Sequence, residues 1–72
     1  MITAKRIANG GGGTVEDIGL EEAVAAVTRY YRAGDPRLDE DAMLDEIRAH
    51  LSESPVCYHH GDDGASYRFV VA

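Results

Sequence analysis

The stretch from Asp35 to Leu51, DPRLDEDAMLDEIRAHL, joins an apolar stripe to the densest run of negative charge in the chain. Leu44, Ile47 and Leu51 recur at three- and four-residue steps with Met43 beside them, the spacing that places them on one face of a helix. That face has to be buried. Asp39 is the expected N-cap, and Leu38 before it and Met43 after it can form the hydrophobic staple that sets how the chain enters the helix. Asp39, Glu40 and Asp41 then suit the positive end of the helix dipole.

Taken in order, Met1 to Ala8 reads as a strand with Ile2 and Ala4 on one side and Thr3, Lys5 and Ile7 on the other. Asn9 to Gly13 is a turn signal: glycine takes positive φ without steric cost, and Asn-Gly favours a type I′ hairpin, so Thr14 to Ile18 is expected to return antiparallel. The glycines do not form a phosphate loop, because Lys and Thr are misplaced and Glu16 and Asp17 follow at once. From Gly19 to Gly34, the series Leu20, Ala23, Val24, Val27 and Tyr31 marks a core-facing helical stripe. Glu21 and Glu22 open that helix, Arg29 and Arg32 close it, and Gly34 stands where a C′ residue belongs. Pro55 ends the acidic helix, and Val56 to His60 with Ser66 to Val71 form a second hairpin. An Asp63-Gly64 loop pairs Val56 with Val71, Tyr58 with Phe69 and His60 with Tyr67, an Asp62-Asp63 loop keeps the same parity, and either leaves Cys57, His59 and Arg68 facing solvent. The expectation is a single α+β domain over residues 1–72: an antiparallel four-stranded sheet of two hairpins with two helices on one face, in the order β-β-α-α-β-β. Strand order stays open.

A chain of 72 residues buries only about 60% of its unfolded surface, so two thin layers leave little room for a deep pocket. Thirteen Asp and Glu against seven Lys and Arg give a net charge of -6. With its basic residues scattered, the chain is a poor direct partner for nucleic acid and a better one for a basic protein surface. A lone Cys57 excludes an internal disulfide framework. Neither a secretory leader nor a membrane span is indicated, and a cytoplasmic protein is expected.

No catalytic signature is present, and no enzyme activity or cofactor is expected. Cys57, His59, His60 and distant His50 are considered as zinc ligands, but alternation sets His60 opposite Cys57 and His59, and no paired CxxC or HxxxH spacing occurs. No metal site is assigned, and Cys57 with His59 on an exposed strand lacks the oxyanion hole of a thiol enzyme. Tyr30 points away from the core stripe and is a rim residue. The best candidate is the acidic ridge of Asp39, Glu40, Asp41, Asp45 and Glu46, whose bland reading is a solvated helix face. From Asp35 to Glu46, six carboxylates span about 18 Å, roughly one charge per 3 Å against about one per 1.7 Å in duplex DNA.

The Gly-rich opening hairpin, the IGLEEAVAAV helix, the DEDAMLDEI helix and the closing VCYHHGDDGASYRFVVA hairpin, in an acidic chain of this length, resemble the small anti-CRISPR proteins that phages and mobile elements carry against type I CRISPR systems. The resemblance lies in size, charge and layout over the whole chain and has no shared motif. It implies an inhibitor that binds the crRNA-guided Cascade complex or its Cas3 nuclease and blocks a DNA-binding surface by mimicry; a monomer is the favoured expectation, with a homodimer as the other state. The alternative is an antitoxin-like or regulatory module working as a homodimer through an exposed edge strand.

Overall fold

The structure, a computed structural model, describes residues 1–8 and 13–71. It has strands β1 (Ile2–Ile7), β2 (Val15–Ile18), β3 (Val56–His60) and β4 (Ser66–Val71), with helices α1 (Leu20–Tyr31) and α2 (Glu40–Glu53) between the hairpins. The sheet runs β2-β1-β4-β3 with every neighbour antiparallel, so β1 and β4 are central and β2 and β3 are edges. The α+β expectation holds. The type I′ turn expected near Asn9-Gly10 lies outside the described residues, but Ala8 N–H donates to the Thr14 carbonyl at 2.9 Å and Ile7 pairs with Val15. Among the described residues no helix is long and apolar enough to cross a membrane.

Ala4 pairs with Phe69, and both point toward the helices, where Val27, Ile47 and Phe69 are fully buried. Burying a side chain as large as Phe69 contributes about 2–3 kcal/mol, so this contact of α1, α2 and β4 is the mechanical centre of the domain. Both helical stripes face it: Ala23, Val24 and Val27 from α1, Met43, Ile47 and Leu51 from α2. Tyr31 departs from the expected stripe and stays 38% exposed at the rim. Thr28 takes a buried place instead, because its hydroxyl donates to the Val24 carbonyl at 2.6 Å and so carries no unpaired polar atom inward. Gly34 is not a left-handed C′ residue, since among the described residues only Gly13 and Gly64 have positive φ. The chain leaves α1 through a turn in which the N–H groups of Gly34 and Asp35 share the Tyr31 carbonyl.

The second hairpin has the opposite parity to the one its apolar pattern suggests. Cys57 pairs with Phe69, Tyr58 with Arg68 and His59 with Tyr67, which turns Cys57 and His59 toward the helices and leaves Tyr58 58% exposed. The cause is the loop. Gly61 N–H donates to the Ala65 carbonyl at 2.9 Å, so the ladder reaches Gly61 and Ala65 and only Asp62, Asp63 and Gly64 turn. Gly64 takes φ +82, the left-handed residue that closes a three-residue hairpin loop. A Cβ on Gly61 would overlap the Tyr67 ring, so the close approach there needs glycine.

Candidate functional site

All five residues of the expected ridge are exposed, but they are not one file of charge. Asp39 is spent on the fold: it is the N-cap of α2, and its Oδ1 accepts from Ala42 N–H at 2.8 Å. Asp41 and Asp45 share one flank, where Asp45 lies 3.6 Å from Arg48 one turn on. Glu46, about 140° around the helix from Asp41, sits on the other flank with its Oε1 3.3 Å from Nε2 of His50. Glu40 and Asp41 meet Glu21 across a shallow groove floored by Leu20, Val24 and Leu44. The first turns of both helices converge on that groove, so two positive dipole ends offset the crowding of anions. Glu21 was not legible as part of the surface, because only the tertiary fold sets the two helix starts side by side.

Four carboxylates next to the sheet are neutralised across elements. Lys5 holds Asp17 at 2.6 Å, Arg6 holds Glu16 at 2.8 Å and Asp63 at 2.9 Å, and Arg29 holds Asp62 at 2.7 Å. Asp63 also accepts from the Tyr67 hydroxyl at 2.8 Å and from Ala65 N–H at 3.1 Å. Desolvation pushes its pKa up, but the hydrogen bonds from Tyr67, Arg6 and Ala65 outweigh it and hold the carboxyl at about 2. Among the described residues, Glu21, Glu22, Glu40, Asp41 and Glu53 form no ion pair with any Lys or Arg.

A second cluster lies where α2 hands over to β3. His50 is in the last turn of α2, Ser54 N–H caps that turn on the His50 carbonyl, and Pro55 sends the chain back into β3. Strand alternation then sets Cys57 and His59 on the helix side, and the donor atoms of His50, Cys57 and His59 all lie within 4.8 Å of one another. His50 Nδ1 is 3.3 Å from His59 Nε2, and the two rings are nearly parallel. Edge-on contacts from Tyr31 and Phe69, each with centroids at 6.0 Å, hold the His59 ring. Burial, with His50 nearby, lowers the His59 pKa, and burial pushes the Cys57 thiol up, the wrong direction for a free thiolate nucleophile. The separation of His60 from Cys57 and His59 expected from alternation is present, but the face turned to solvent is the other one. The signal that reveals this cluster is the G-D-D-G run at Gly61 to Gly64, which fixes an odd loop.

No protein-family model matches the chain, and no curated protein or solved structure matches it either.

Proposed function

We propose that the protein is a non-catalytic binding protein whose acidic helix layer docks into a Lys- and Arg-lined groove of a nucleic-acid-binding assembly, in the manner implied by the resemblance to anti-CRISPR inhibitors of type I Cascade and its nuclease. It acts in the cytoplasm as a monomer, with no nucleic acid or membrane bound directly. The observation that carries this reading is the division of charge. Carboxylates beside the sheet are bound to arginine or lysine, whereas Glu21, Glu22, Glu40 and Asp41 at the start of the two helices are left for an external cation. Exposed anions at this density attract a cationic groove over about one Debye length and impose a steep salt dependence.

The test is competition with target duplex for purified type I Cascade across a salt series. The wild-type chain is expected to displace DNA, and E21K/E40K/D41K to lose at least about tenfold in affinity, the equivalent of about 1.4 kcal/mol. A folded triple variant that competes as well as wild type overturns the charged-face assignment, and a wild-type chain that never competes removes this effector as the receptor.

A homodimeric antitoxin-like or regulatory module is favoured by one feature, the edge position of β3 with Tyr58 exposed on it. A concentration-independent dimer mass in sedimentation, reduced to monomer by Tyr58→Lys, selects that reading over the first.

A further inference from the structure

We propose that His50, Cys57 and His59 form a binding site for one zinc-class divalent cation, independent of the acidic face. His50 Nδ1, His59 Nε2 and Cys57 Sγ would be the protein ligands, and solvent the fourth. The donor set is right for the metal: two imidazoles and one thiolate are borderline-to-soft ligands that favour zinc over calcium or magnesium.

The geometry of the imidazole pair points the same way. Zn–N bonds of about 2.05 Å in a tetrahedron put two ligand nitrogens about 3.3 Å apart, which is the separation of His50 Nδ1 and His59 Nε2, 3.3 Å. The rings are stacked within 9° of parallel with centroids 5.2 Å apart, the centroid distance of two imidazoles on one such centre, and turning the rings about their side-chain torsions would bring both lone pairs onto it. Without metal the same pair makes a ring-nitrogen hydrogen bond at 3.3 Å, which already holds the two nitrogens at ligand spacing. The Cys57 sulfur and one ring nitrogen of each histidine lie within 4.8 Å of one another, and rotation about the Cys57 side-chain torsion would close the sulfur to the roughly 3.5 Å spacing of a tetrahedral site. Binding releases the Cys57 thiol proton to solvent and forms the metal–sulfur bond.

The surroundings are those of a built site. With Nδ1 on the metal, Nε2 of His50 carries the proton and faces Glu46 Oε1 at 3.3 Å, the carboxylate–histidine–metal arrangement that fixes a ligand's tautomer. Tyr31 and Phe69 hold the His59 ring edge-on, while His50 is exposed and leaves a path for the ion from the hollow lined by Tyr31, Met43 and Glu46. The ion would tie the last turn of α2 to edge strand β3 across the Ser54-Pro55 corner.

The test uses the full chain without a histidine tag, stripped with chelator and titrated with cobalt(II). A thiolate-to-cobalt charge-transfer band and strong visible bands of a tetrahedral centre are expected, saturating at one cobalt per chain and displaced by zinc. Cys57→Ser is expected to abolish the charge-transfer band, and His50→Ala, at an exposed position, to weaken binding and erase any rise in Tm with zinc. Glu46→Gln is expected to weaken affinity about tenfold or more without changing the bands. No band with cobalt in excess, a stoichiometry of one metal per two chains, or unchanged binding by His50→Ala overturns the proposal. The E21K/E40K/D41K chain is expected to bind cobalt as wild type does, so failure of the acidic face and failure of the metal site are told apart.

Discussion

The carboxylates of this small domain divide into two populations. Those beside the sheet hold strands and loops together: Asp63 gathers Arg6, Tyr67 and the Ala65 N–H, and Asp62 ties the β3–β4 loop to Arg29 of α1. Those in the helix layer act locally: Asp39 caps α2, Asp35 accepts from Arg37 N–H, Asp45 and Glu46 lie against Arg48 and His50, and among the described residues Glu21, Glu22, Glu40, Asp41 and Glu53 form no ion pair with Lys or Arg. The contrast teaches that net charge alone says little about function. Of the net charge of -6, the part open to a partner is the part the fold does not use.

The largest expected effect sits in the first population. Asp63→Ala strands the hydroxyl of Tyr67, itself only 2% exposed, and should cost about 2 kcal/mol in denaturant unfolding. A loss below about 0.5 kcal/mol would erase the distinction between the two groups. The same carboxyl gives a pH signature. Its folded pKa of about 2 lies below the ordinary 3.8, so its contribution is full above the unfolded pKa and is lost as pH falls from 4 toward 2. Solvent screens the group, which is 37% exposed, so the loss is on the order of 1 kcal/mol, and Asp63→Asn should flatten that part of the stability profile.

Asp39→Ala comes next, at about 1 kcal/mol, because it removes the cap from Ala42 N–H. It marks the one helix-layer anion whose removal is felt in folding. Smallest is the pair Glu40→Gln with Asp41→Asn. Loss of the favourable helix dipole contact and relief of repulsion with Glu21 oppose each other, so the melting curve should change by less than about 0.5 kcal/mol while competition with DNA for a basic groove weakens. Destabilisation of 1 kcal/mol or more would assign these anions a structural role.

Much of the architecture was legible in the residues. The stripe of Leu44, Ile47 and Leu51 and the Asp39 cap locate α2, and the α1 stripe fails only at Tyr31, which stays half-exposed at the rim against His59 of β3. The parity of the second hairpin was not legible from hydrophobicity. Val56, Tyr58 and Val70 make the uncovered face of the sheet nearly as apolar as the covered one, so alternation carries no preference between them. The loop decides instead, through Gly61 against Tyr67 and the left-handed Gly64. With parity reversed, the His50, Cys57 and His59 cluster does not show in the sequence, and the ridge there is confined to one helix because the neighbouring start of α1 is a tertiary fact.

A hairpin whose facing depends on the count of turning residues is unforgiving to a change of length. Deleting one codon from Asp62 to Gly64 would ask β3 to show its other side, carrying Tyr58 inward and casting Cys57 and His59 out. Lineages of this protein should therefore accept substitutions on the outer face of β3 far more readily than any insertion or deletion in that bend.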